Sequence, residues 1–385
     1  MESNKFDVAI VGGGIIGAVI AYQLSRYNLK TVLFEKNPVF ADETSRGNSG
    51  VIHGGFDPDP HKIEAKLNVQ GNKLWREEIF KHLEFPRAQV DSLIIAFSEE
   101  EMKHVQMLYD RGLTNGVLES DMKILSRDEL IAKEPNVNPE AVGALLCTSS
   151  WAIDPVQATL AFLGAASNNG TTLKKSASVT NIQYVNDAFK IEINNKEIYE
   201  AKNVINAAGH YADKIAELAG YPDFKQTTRR GEYRILDRSM NGIVNSICFM
   251  VPTIHGKGVV VAPMLNGQVL VGPTAEEGVP KEDTRLVTQE KFDYIGKIGN
   301  RIIPKLDMSR TVMTLAGSRP IDIATNDFVL NYAKDNNHFI NASGMQSPAI
   351  ASAPAIALYI QDLLQKNGTQ LVPKSDFKPD FKMFF

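Results

Sequence analysis

Residues 8–24 read VAIVGGGIIGAVIAYQL, and this run constrains the chain more than any other feature. An apolar strand, Val8 to Val11, runs straight into Gly12, Gly14 and Gly17, which satisfy the G-x-G-x-x-G spacing. A helix-length apolar segment follows, and a second β-branched strand ends at Glu35. Each part has a task in holding a dinucleotide. Gly12 permits the tight strand-to-helix turn, Gly14 lets backbone approach a pyrophosphate, and Gly17 lets helix and strand pack closely. The helix N-terminus turns free N–H groups and a partial positive charge toward the phosphates. Glu35 can accept both hydroxyls of an adenosine ribose and would repel a 2′-phosphate. Without its flanking strand, helix and acidic residue the glycine spacing is weak evidence; with them it is specific.

The apolar N-terminus is not a membrane anchor, because it contains four glycines and Gln23 and continues into the Glu35 strand. No other run approaches the ~18–20 apolar residues that span a bilayer. A soluble, cytoplasmic chain is expected, with peripheral attachment to the inner face of the cell membrane left open. The chain's 385 residues suit two domains. With 41 Lys and Arg against 45 Asp and Glu, nothing points to nucleic acid as a partner. Cys147 and Cys248 are the only cysteines and lack metal-like spacing, so neither a disulfide framework nor a metal site is expected.

Helical spacing covers 61–83 and 99–111. Ser126 and Glu129 form a capping box, and Asp154-Pro155 predicts a helix over 155–168. Strand patterns recur at 177–184, 188–193 and 204–209. From 225 to 330 the pattern changes to strands and turns, and the last part returns to a buried strand, a turn and an alanine-rich helix ending near Leu364. This order predicts an α/β chain in which a Rossmann-like nucleotide domain (1–85, 151–220 and 331–370) is interleaved with a mainly antiparallel sheet domain (86–150 and 221–330). The 371–385 tail alternates Lys with Phe377, Phe381, Phe384 and Phe385; it either packs across the surface or meets a membrane or partner.

Several further motifs accompany the fingerprint: TSRGNSGVIHGGFDPDP, NAAGHYAD, QTTRRGEY, VPTIHGKGVVVAPMLNGQVLVGPTA, AGSRPIDIATNDF and SGMQSPAIASAPA. Together they resemble the FAD-dependent D-amino-acid-oxidase-like superfamily, and more closely the short glycerol 3-phosphate oxidases of mollicute bacteria. The resemblance implies non-covalent FAD, oxidation of sn-glycerol 3-phosphate to dihydroxyacetone phosphate, and reduction of O2 to hydrogen peroxide. Neither cysteine can be placed as a covalent flavin handle. The nearest alternative is a quinone-linked dehydrogenase of L-2-hydroxyglutarate or a similar 2-hydroxy acid, which shares the His loop. A dianionic hydroxylated substrate fits both. An NAD-dependent enzyme and a non-catalytic FAD-binding protein fit the motifs less well.

His53 lies among small residues whose backbone can approach a flat ring. Oxidising a secondary alcohol needs a base for the hydroxyl proton, and imidazole, with an ordinary pKa of roughly 6.5, suits that task. The resemblance places His53 as this base, with Ser49 touching substrate and Thr44, Ser45, Ser49, Gly50 and Val51 touching flavin. Lys257, in the turn HGKG, and Arg319, at a strand end before Pro320, form the candidate anion clamp; the resemblance puts both at the substrate, with Arg319 also near the flavin. His255 and Tyr233 are weaker candidates; Arg229 and Arg230 read as sheet supports. Gly344, Met345, Gln346 and Ser347 open the last helix, whose N–H groups can hold the flavin edge where negative charge develops. Ser347 could add a substrate contact. Val179 would hold the adenine side through its backbone, or is simply a core valine. Ile16 and Gly209 complete the cofactor contacts that the resemblance implies.

Overall fold

The computed structural model describes residues 4–251 and 258–382. Its first sheet has eight strands. Lys5–Val11 lies at the centre, paired in parallel with Thr31–Phe34 on one side and Glu197–Asn206 on the other. The latter strand divides its free edge: its first half pairs with Ala188–Ile193, and residues 204–206 pair in parallel with Asn336–Ser343. A strand from the far end of the chain is therefore seated beside the N-terminal fingerprint. The residues of Thr31–Phe34 are all buried, as expected of a parallel strand covered on both faces.

Three helices cover one face of this sheet: Ile15–Leu24, Pro155–Asn168 and Ala349–Lys366. Nine residues of Ile15–Leu24 are buried, which explains why that helix is apolar on every side. The helix over 155–168 forms as its sequence predicts. Asp154 accepts from the Val156 and Gln157 N–H groups at 3.0 Å, and Pro155 occupies the first turn. Full burial of a ring such as Phe162 contributes roughly 1.5–3 kcal/mol. The tail crosses this layer: Phe377 packs on Tyr22, with ring centroids 6.1 Å apart, and Phe381 packs over Gly164, where a Cβ would overlap its ring. Phe384 and Phe385 lie outside the described residues.

The second sheet has nine strands and is mainly antiparallel, with Ile247–Met250 running parallel to Ser92–Ala96. Its longest pair joins Gln226–Leu236 to Thr311–Asp322. Two expectations need correction. The 225–330 region is not all strand and turn, because Gln289–Ile302 is a helix capped by Thr288. Its signal was legible in Thr288 and the spacing of Ile295, Ile298 and Ile302. The 61–83 helix is not uniform either. Ile63–Leu74 passes into a wider π turn at Trp75–Ile79, where fully buried Trp75 donates its indole N–H to the Ile350 carbonyl at 2.9 Å.

Candidate active site

The fingerprint stands at the carboxyl end of the central strand, where open parallel sheets bind ligands. Gly12 has φ +116°, and a Cβ there would overlap the Ala207 carbonyl at the end of the neighbouring strand. A Cβ at Gly17 would overlap the carbonyl of Gly12 itself. Gly14 is different: it caps the helix in extended backbone, and an added Cβ would meet only the Ser45 hydroxyl at 2.9 Å. Ser45 Oγ accepts the Ile15 N–H at 2.9 Å. The Glu35 carboxylate accepts the Gly13 and Asn37 N–H groups, both at 2.8 Å. Burial raises its pKa, against the pull of those two donors.

The loop after Thr44 is braced from within. Asn48 Nδ2 donates to the Thr44 and Ser45 carbonyls, each at 2.8 Å, and its Oδ1 accepts from Gly50 at 2.7 Å. The loop sits directly on the second sheet: a Cβ at Gly317 would overlap the backbone of Gly47. Thr44 Oγ1 donates to the Ser318 carbonyl at 2.7 Å, and the His210 Nε2 lies 2.8 Å from the same oxygen. This contact fixes the strand just before Arg319.

Between the two sheets lies a cavity that opens to solvent. Gly14, Ile16, Thr44, Ser45, Ser49 and Val51 line it on the fingerprint side, with Gly209 beside them. Met345, Gln346 and Ser347 line it at the start of the last helix. His53 and Arg319 face it from the loop and the second sheet. Gly12, Gly17, Glu35, Gly50, Gly344 and Val179 are not among its lining residues. Gly50 and Gly344 shape turns, with φ +65° and +69°, and Val179 is buried at the start of its strand. Lys257 and His255 fall outside the described residues.

Tyr233 is buried against the Arg319 guanidinium. Burial raises the tyrosine pKa while the cation opposes that rise, and burial lowers that of Arg319. Arg229 and Arg230 point elsewhere, to Glu277 at 2.5 Å and Glu276 at 2.6 Å. The residues that sequence reasoning missed are Asn48, Phe249, Val260, Pro273 and His210. Phe249 lines the cavity with its ring centroid 5.9 Å from that of His53. In sequence it is one apolar residue in a strand, so no local signal marked it. Cys147 and Cys248 are buried, do not line the cavity, and have their thiol pKa values raised by burial.

These features fit a dinucleotide: glycines where backbone must approach closely, a helix start whose cap residue is a glycine, an acidic side chain beside Gly13, and a cavity leading from them to a cation. Among the described residues no group of three or more His, Cys, Asp or Glu side chains could hold a metal ion. No helix among them is long and apolar enough to cross a membrane.

His210 supplies a pH test. Burial lowers its pKa from 6.5 to about 4. Between those values the unfolded chain binds a proton that the folded chain refuses, so stability falls as pH drops through this window. In urea unfolding the loss from His210 reaches roughly 3 kcal/mol, and His210→Asn flattens that part of the profile. An unchanged slope in the variant assigns the loss to other groups.

Comparison with known proteins agrees with this geometry. Residues 7–363 match the family described as FAD dependent oxidoreductase. A glycerol 3-phosphate oxidase of Mycoplasma pneumoniae is 47% identical over 353 residues, covering 91% of this chain and 92% of its own. That of Mycoplasma genitalium is 44% identical, covering 99% of each. The fold superposes on a solved L-α-glycerophosphate oxidase from Mycoplasma pneumoniae, with FAD bound, at a TM-score of 0.96, 44% identity and complete coverage of both chains. The chain belongs to the family of FAD-dependent oxidoreductases.

Proposed function

We propose that the chain is an FAD-dependent glycerol 3-phosphate oxidase that yields dihydroxyacetone phosphate and hydrogen peroxide. FAD, when bound, would supply the hydride acceptor for the substrate's secondary alcohol and the reducing equivalents for O2. The fingerprint turn, the Thr44–Val51 loop and the Gly344–Ser347 turn hold it without a covalent link, with Val179 toward its adenine end. His53 takes the hydroxyl proton, Ser49 and Ser347 orient the substrate, and Arg319 grips the phosphate. Lys257, outside the described residues, is the second phosphate cation on its sequence setting alone.

One observation carries the reading. Of the described residues that line the cavity, only His53, Tyr233 and Arg319 carry titratable side chains. Tyr233 has a raised pKa and Arg319 stays cationic, so the imidazole is the side chain suited to accept a proton near neutral pH. Anaerobic titration of the yellow protein tests the proposal. Glycerol 3-phosphate should bleach the flavin, L-2-hydroxyglutarate should not, and admitting air should release peroxide in proportion. Bleaching by the hydroxy acid alone moves the substrate assignment; absence of peroxide points to another electron acceptor.

Loss of one charge-assisted hydrogen bond weakens binding roughly 10- to 150-fold. Lys257→Met should therefore mainly raise KM, and Arg319→Met should raise KM and lower kcat, because charge also develops beside it during the reaction. Plain glycerol is the control. It should be a poor substrate that Lys257→Met barely worsens, and an equal loss on both substrates rejects the clamp.

A further inference from the structure

The helix Ile63–Leu74 gives no side chain to the cavity, yet it holds the backbone of His53 in place. Asn68 and Asn72 lie one turn apart on the same helix face. Both direct their amide N–H groups at one atom: the His53 carbonyl oxygen accepts from Asn68 Nδ2 at 2.8 Å and from Asn72 Nδ2 at 3.1 Å. Asn72 donates also to the Ser149 carbonyl at 2.8 Å. The helix that carries them is itself fixed. Its first N–H groups, from Ile63 and Glu64, donate to the Asp327 carboxylate at 2.8 and 3.3 Å. At Gly71 it touches the backbone of the last helix so closely that a Cβ would overlap the Ala351 carbonyl.

Asn68 is fully buried, and its Oδ1 has no hydrogen-bond partner. A leucine of similar size would avoid the cost of that stranded acceptor and pack equally well. The amide is thus a poor choice for packing alone, and what it adds is the donor to His53. The need for such a donor is local. His53 is followed by Gly54 and by Gly55 at φ +113°, a stretch whose peptide planes turn easily.

We propose that Asn68 and Asn72 are positioning residues that fix the direction of the His53 imidazole by clamping its carbonyl oxygen from two sides. Two donors on one oxygen hold the peptide plane, and the plane sets where the side chain leaves the backbone. The proposal rests on His53 being the proton acceptor.

The test is a double-mutant cycle on the FAD-loaded protein, read as the rate of anaerobic flavin reduction by glycerol 3-phosphate. Asn68→Leu should keep its flavin and its Tm, leave KM nearly unchanged, and slow reduction roughly 10- to 100-fold, the scale expected for a misplaced catalytic group. Added to His53→Asn, the same change should cost less than about threefold, because the group it orients is gone. Wild-type reduction by Asn68→Leu overturns the proposal, as does an equal slowing in both backgrounds. Normal reduction by His53→Asn alone defeats the base assignment first and takes this proposal with it, an outcome visible in that single variant. If Asn68→Leu does not fold, Asn72→Leu enters the same cycle with the same deciding outcomes.

Discussion

His53→Asn should retain FAD while slowing its anaerobic reduction by glycerol 3-phosphate about 10²- to 10⁴-fold, the usual cost of losing a general base. Asparagine keeps a polar side chain while losing the ring contact with Phe249, and the clamped backbone carbonyl is untouched by the change. What disappears is the imidazole nitrogen able to accept a proton. No neighbour replaces it: Tyr233 holds its proton more firmly than an ordinary tyrosine, and the hydroxyls of Thr44, Ser45, Ser49 and Ser347 do not ionise near neutral pH. Stopped-flow reduction at several pH values measures the effect. In wild type the rate should rise with pH through a single ionisation, and the variant should lose that dependence along with its rate. A variant reduced at nearly the normal rate would show that water or another group takes the proton.

Gly14→Val should give a folded protein that purifies without colour. The backbone there is extended, with φ −81° and ψ −177°, which valine adopts readily, and the nearest obstacle is a single side-chain atom, the Ser45 hydroxyl at 2.9 Å. The added methyl groups would stand at the mouth of the helix, where Gly14 lines the cavity and the pyrophosphate is expected. Loss of FAD, and with it all oxidase activity, should therefore accompany a near-normal circular dichroism spectrum. Gly17→Val is the contrasting case. Its side chain would overlap the Gly12 backbone, so it should unfold the unit rather than empty it. A yellow Gly14→Val protein with normal flavin content would place the pyrophosphate elsewhere.

The elements that the sequence revealed best are those whose signals are local. The fingerprint, the Asp154-Pro155 helix start and the Ser126 capping box each depend on residues within a few positions of one another. The helix at 289–302 was equally local, and was overlooked because strands surround it. The cavity was only partly legible. His53 stands in a glycine-rich loop and lines it; Arg319, expected at a strand end, lies instead within the strand Thr311–Asp322, opposite Arg229, and lines it too. Phe249 acquires its place only because Ile247–Met250 pairs with Ser92–Ala96, a partnership that no short pattern encodes. Asn68 and Asn72 read as polar positions on an amphipathic helix and gave no sign of being buried. His210 stands in the NAAGHYAD motif, but its contact with the Ser318 carbonyl joins residues far apart in the chain.

That dependence on distant segments bears on how the protein is made. The fingerprint is synthesised well before the segments that complete it. Its helix is covered by Phe162, by Ile360 of the last helix and by Phe377 of the tail. The strand bearing Asn341 seats beside Asn206 only after most of the chain exists. A nascent chain that stops short of Asn336 would hold the glycines without the strand or the last helix that close the cavity behind them. Contacts of such long range form late and slowly. Flavin capture should therefore wait until the last helix has been made, and a chain truncated before that helix should be colourless with every fingerprint residue intact.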